Sequence, residues 1–239
     1  MNSDAFFSHL MALRRCVLGC LVAWGSVTLV LFYFRNPLFN YVTQPFIHGS
    51  SAEYPLIATS VISVFTTPLK VALLMGLMLA MPVILYQLWR FILPGLYPDE
   101  RKKVWQVTLI SVLLFGCGVL FCFWLVLPLI FQFMAQMVPA HVAWLPDIQQ
   151  YIQFCLQLLL AFGLAFQAPI AIRIMVWLGI VDLRQLIQAR PYVIVLAFVL
   201  GMLLTPPDVI SQILFAAVFW GLFEISVFIL KWQTRESNA

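Results

Sequence analysis

Residues 104–146 contain no Asp, Glu, Lys or Arg. A run of that length has no place in a water-soluble domain, whereas one bilayer-spanning helix needs about 20 predominantly apolar residues. Three more charge-free runs occupy residues 16–34, 71–89 and 148–172, and a last apolar block covers 191–230. Composition agrees: 64% of the 239 residues are hydrophobic and 9% are charged, against about 25% charged in an ordinary soluble domain. The natural solvent of such a chain is a lipid bilayer, and its fold class is all-α integral membrane protein. An ordinary cytosolic enzyme, a nucleic-acid-binding module and a disordered tail are ruled out. The net charge of +4 reads as membrane topology, because the basic residues sit in a few short clusters.

The proline pattern sets the number of spans. Pro128, Pro139 and Pro146 lie in the longest run, so a long third helix is expected to end near Met137. Thr205-Pro206-Pro207-Asp208 breaks the last block, since two consecutive prolines remove two donors and force a turn. Six transmembrane helices follow, at about 16–34, 68–93, 104–137, 150–173, 191–204 and 209–230, in a single membrane domain covering 1–239. The fifth reaches only about 21 Å, which predicts local bilayer thinning or a recessed end. Arg14-Arg15 before the first run has the look of a cleaved signal. That run ends in Leu31-Phe-Tyr-Phe-Arg35 with no small-residue cleavage site, so the helix is expected to be retained.

Lys and Arg set the orientation. Six spans place both termini on one side. That side receives Arg14, Arg15, Arg90, Arg101, Lys102, Lys103, Arg173, Arg184, Arg190, Lys231 and Arg235, and the other receives only Arg35 and Lys70. Both termini are therefore expected in the cytoplasm.

No HExxH, GxSxG, P-loop or GxGxxG pattern occurs. His9, His48 and His141 fall one per segment outside the apolar cores, and the five cysteines show neither CxxC nor Cys/His metal spacing. No metal, cofactor or enzymatic activity is expected. The few polar groups at membrane depth are Gln157, Gln167, Gln212 and Glu224, and such groups are expensive in hydrocarbon. Asp208 suits the N-cap of the sixth helix, with a binding role also open. Gln212 lies one turn further on the same face, and Thr205 closes the preceding helix. This polar patch is either a hydrated helix end or a docking point for a polar group of another transmembrane helix. Glu224 is expected to be neutral or to snorkel toward the cytoplasmic interface.

The first cytoplasmic loop, Gln87-Leu-Trp-Arg-Phe91-Ile-Leu-Pro94-Gly-Leu-Tyr97-Pro-Asp99-Glu100-Arg-Lys-Lys103, combines aromatic residues, two stiffening prolines and an acidic pair beside a basic run. Its plain reading is a positive-inside stop followed by a helix cap. Its sharper reading is a receptor surface. An interfacial carboxylate can take a guanidinium bidentately, and Phe91 offers an apolar or cation–π wall. A small-solute or ion carrier is the alternative function, and a passive scaffold is a third. A carrier is expected to show intramembrane charge pairs or inverted repeats, and neither is visible in the sequence.

These segments resemble the TatC family, the core receptor subunit of the twin-arginine protein translocase. Ser8-His-Leu-x-x-Leu13-Arg14 resembles the family's amino-terminal amphipathic segment, and Pro45 the proline of its first external loop. Phe91 and Glu100, within Phe-Ile-x-Pro94-x-Leu-Tyr-x-x-Glu-Arg, resemble its signal-peptide binding motif. Arg190-Pro-Tyr, Gly201-Met-Leu-Leu-Thr-Pro-Pro-Asp-Val-x-Ser-Gln212 and Leu222-Phe-Glu224 resemble its last two helices. The resemblance implies a cup-shaped six-helix receptor in the bacterial cytoplasmic (inner) membrane. It would bind the twin-arginine signal peptides of folded precursors and nucleate a translocase driven by the proton gradient. It would work with TatA- and TatB-type single-span subunits as a homo-oligomer, without nucleic acid. Arg14, Phe91, Pro94 and Glu100 would serve signal-peptide binding. Met202, Thr205 and Gln212 would dock a partner helix. Pro45, Gln167, Asp208 and Glu224 would have structural or functional parts. Ala12 stands where the family usually has Glu, and Gln167 where an intramembrane Glu is common, so a proton-linked role at 167 is put in doubt.

Overall fold

A computed structural model describes residues 3–34, 37–38, 57, 60–92, 101–139, 145–205 and 208–236. The elements are α1 (Ser3–Tyr33), α2 (Val61–Ile92), α3 (Arg101–Phe121), a π-helical turn (Cys122–Val126), α4 (Leu127–Met137), α5 (Ile148–Ala165), α6 (Ala168–Trp177), α7 (Leu183–Gln188), α8 (Arg190–Leu204) and α9 (Val209–Glu236). Five segments are long and apolar enough to cross a membrane: Leu10–Tyr33, Phe65–Ile92, Val104–Met137, Ile148–Trp177 and Val209–Gln233. The shorter Arg190–Leu204, fifth in chain order, brings the number to six, and no sheet forms among the described residues.

The chain divides into two compact units. The first comprises Met1–Tyr41 and Ser60–Leu113. Here α1 and α2 pack antiparallel. The Gln87 carboxamide lies so close to Gly19, and Thr28 so close to Gly76, that a Cβ on either glycine would overlap its neighbour. The Trp24 indole donates to the Leu73 carbonyl at 2.9 Å. Helix α2 starts at Val61 rather than near 68 and runs through Pro68 and Pro82. In lipid, breaking the helix would strand still more backbone N–H and C=O groups without partners, so helical geometry persists across each proline.

The second unit comprises Val42–Thr59 and Leu114–Ala239. Its core holds Cys122, Leu127, Ile130, Ile152, Leu156, Phe162 and Phe215, all fully buried. Phe162 meets Phe215 edge-on at 5.6 Å. A Cβ on Gly118 would stand 2.7 Å from the Phe162 carbonyl oxygen, and one on Gly163 would stand 2.5 Å from the Phe115 ring. Only glycine permits the two backbones this approach. The π turn precedes Pro128, which brings no N–H, and there the Leu127 N–H reaches back five residues to the Cys122 carbonyl.

Sequence boundaries shift where capping decides them. Asp147 accepts from the Gln149 and Gln150 N–H groups at 2.8 and 3.1 Å and opens α5 at 148. The first interhelical segment reaches this cap: Ile57 N–H donates to the Pro146 carbonyl (3.2 Å), and Ile148 N–H donates to the Ile57 carbonyl (2.9 Å). The expected single helix over 150–173 is broken at Phe166–Gln167, because Pro169 cannot donate, and it resumes to Trp177. Gly179 at φ +68° terminates it. The expected 173–190 loop contains α7. A reciprocal Asp182–Gln185 capping box starts that helix, and Leu186 packs it onto Phe223 and Val227.

Candidate functional site

Three clusters bear on function. The first lies where α2 ends. Trp89 and Ser111 are both buried, and the Trp89 Nε1–H donates to Ser111 Oγ at 2.8 Å. Tyr86 meets Trp105 edge-on with centroids 6.4 Å apart. Together these tie the last turns of α2 to the first turns of α3. At 100° per residue, Gln87 and Phe91 share a face one turn apart, and Trp89 points about 160° away from both. Since Gln87 lies on Gly19, that shared face is the one turned toward α1. Phe91 is half-buried there, and Arg14 is exposed on α1. Pro94 and Glu100 lie outside the described residues, as does Pro45.

The second cluster is the α8–α9 hairpin end. Gly201 admits Gln212 Cγ to within 3.2 Å of a Cβ position. The Gln212 Nε2–H donates to the Phe198 carbonyl at 3.1 Å, so the glutamine has a fixed partner on the neighbouring helix. The Thr205 hydroxyl is turned inward and donates to the Gly201 carbonyl at 2.8 Å. Met202 is 62% exposed. Asp208 caps α9, accepting from the Ser211 N–H at 2.7 Å. Of Met202, Thr205 and Gln212, Met202 is thus the exposed side chain, while Thr205 and Gln212 bond to α8 carbonyls.

The third cluster was not anticipated. Arg190 Nη2 donates to Glu224 Oε2 at 2.7 Å. Glu224 is therefore paired with the first residue of α8, a partner that its local sequence context did not indicate. Hairpin arithmetic carries the signal: Arg190 lies fifteen residues before Thr205 and Glu224 sixteen after Asp208, so antiparallel helices set them level. The Trp89–Ser111 pair was also missed, and single-sequence spacing offers no sign of it. Gln167 stands at the α5–α6 break, where its N–H donates to the Leu164 carbonyl and its carbonyl accepts from the Ala171 N–H.

With this geometry in hand, similarity to known proteins is decisive. Residues 8–217 match the family model described as TatC, Sec-independent protein translocase protein. The chain belongs to the TatC family. A Sec-independent protein translocase protein TatC of Escherichia coli K12 is 42% identical over 237 residues, covering 99% of this chain and 92% of that one. One from Azotobacter chroococcum is 45% identical over 221 residues, covering 92% and 87%. Two crystal structures described as the twin arginine translocase receptor TatC superpose with TM-scores of 0.84 and 0.86, at 37% and 36% identity. They cover 92% and 95% of this chain, and the chain covers 98% and 99% of theirs. The chain is accordingly a component of the Sec-independent protein translocase, a multi-pass inner-membrane protein of a transport family rather than an enzyme.

Proposed function

We propose that this TatC-family chain is the receptor that binds twin-arginine signal peptides of folded precursors and nucleates the translocase with TatA- and TatB-type single-span subunits. It does so as one copy in a homo-oligomer, with export driven by the proton gradient. The observation that carries the reading is the placement of Phe91 on the α1-facing side of α2. In sequence, α2 is followed by a segment holding Asp99 and Glu100. An arginine pair arriving at an interface needs a carboxylate and gains from an aromatic wall. The description of the solved relatives as receptors supports the same reading. A photo-crosslinker at position 91 should capture a precursor with an intact signal and fail on one carrying Lys-Lys. Equal capture of both would refute recognition at this face.

Both termini are cytoplasmic in this reading, from the eleven-to-two split of basic residues. A cysteine at Ser51, in a chain freed of native cysteines, should react with an impermeant reagent added outside intact cells. Reaction only after the inner face is opened would reverse the topology.

The α8–α9 hairpin end docks a partner helix through Met202, Thr205 and Gln212. Interhelical hydrogen bonds in lipid are worth about 0.6–2 kcal/mol. Gln212→Leu should therefore weaken single-span partner crosslinking at Met202 by roughly three- to thirtyfold, with precursor binding retained. Unchanged crosslinking would remove Gln212 from the docking surface.

A further inference from the structure

Trp89 and Ser111 have no part in the functions assigned so far, yet they hold the side of α2 opposite Phe91. Helix α2 lies between α1 and α3 at this end of its unit, and rotation about its own axis would move Gln87 and Phe91 off the α1 face. Contacts on both flanks oppose that rotation at this end of the helix. On the α1 side Gln87 rests on Gly19. On the α3 side the buried Trp89 indole N–H is held by the buried Ser111 hydroxyl at 2.8 Å. The first is packing and tolerates sliding. The second is directional, and an indole has a single donor, so breaking it strands an N–H in an apolar interior. The antiparallel pairing of Gly19 with Gln87, continued one turn, brings Arg15 level with Phe91.

We infer that the Trp89–Ser111 hydrogen bond is a rotational lock that holds Phe91 toward α1, making Trp89 and Ser111 positioning residues for twin-arginine recognition. The inference rests on the receptor reading for its functional consequence and on geometry alone for the lock. Two readouts separate these. In the full chain, freed of native cysteines and kept in its membrane, Arg15→Cys with Phe91→Cys should form a disulfide on mild oxidation. Adding Ser111→Ala should slow that reaction by about fivefold, Trp89→Phe should do the same, and Ser111→Thr, which keeps the hydroxyl, should restore the rate. With Phe91 intact, Ser111→Ala should weaken binding of a twin-arginine precursor about three- to tenfold at unchanged abundance. An unchanged oxidation rate in Ser111→Ala, or no recovery in Ser111→Thr, would overturn the lock. Slowed oxidation with full precursor binding would overturn its role in recognition. If Glu100→Gln left precursor binding intact while oxidation still answered to Ser111, the receptor reading would fail and the lock would stand.

Discussion

Replacing Glu100 with Gln should weaken binding of a twin-arginine precursor by roughly ten- to a hundredfold, with membrane insertion and abundance unchanged. The magnitude follows from a charge-assisted bidentate hydrogen bond, worth about 1.5–3 kcal/mol, and each 1.4 kcal/mol is about tenfold. Few other carboxylates share the expected cytoplasmic side: Asp4, Asp99, Asp182 and Glu236 complete the set, and Ala12 contributes none. Asp182 is committed to capping α7. Arg101, Lys102 and Lys103 follow Glu100 directly, so losing its charge also alters the balance of the segment. Asp99→Asn separates the two effects, because it removes the same charge one residue away. An equal loss in Asp99→Asn would reduce the site to general electrostatics, and full binding in Glu100→Gln would refute the assignment.

The spans were legible because hydrocarbon imposes a simple rule, about 20 apolar residues per crossing, and because Pro206-Pro207 leaves no alternative to a turn. The third span ends at Met137, the last residue of α4, as Pro139 beyond it requires. Interruptions inside spans were less legible. Pro68, Pro82, Pro128 and Pro169 look alike in sequence, yet α2 passes through its two, Pro128 follows a π turn, and Pro169 follows a break. What distinguishes them is the packing around each, and a single sequence does not encode that locally. The polar residues of the candidate sites were found by their cost in lipid. Their partners were not, because Gln212 with Phe198 and Arg190 with Glu224 are pairings across helices. Trp89 was hidden for the opposite reason: a tryptophan near a helix end reads as an interfacial anchor, and only its buried bond to Ser111 shows otherwise.

Removing Glu224 should destabilise the α8–α9 hairpin more than removing any other side chain on its surface. Arg190 is the first residue of α8, followed by Pro191. A cation at a helix N-terminus faces the positive end of the helix dipole, so it depends on a nearby carboxylate. Glu224 supplies one at 2.7 Å. The guanidinium Nε is buried without a partner of its own, which makes the remaining contact more valuable. Breaking a fully buried pair costs about 3–5 kcal/mol. Here the side chains are 40% and 28% exposed, so roughly 1–3 kcal/mol is the expected cost. For a chain of this size that is a fall of about 3–10 °C in the unfolding midpoint in detergent. Arg190→Ala should cost less, because the carboxylate it strands then benefits from the α8 N-terminus. The double substitution should fall short of the sum by about 1–2 kcal/mol, the signature of direct coupling. Exchanging the charges, Arg190→Glu with Glu224→Arg, should recover part of the midpoint and add a favourable carboxylate at the start of α8. A cycle that is additive within 0.3–0.5 kcal/mol, roughly the limit for independent sites, would mean that the two charges share a location without holding the hairpin together.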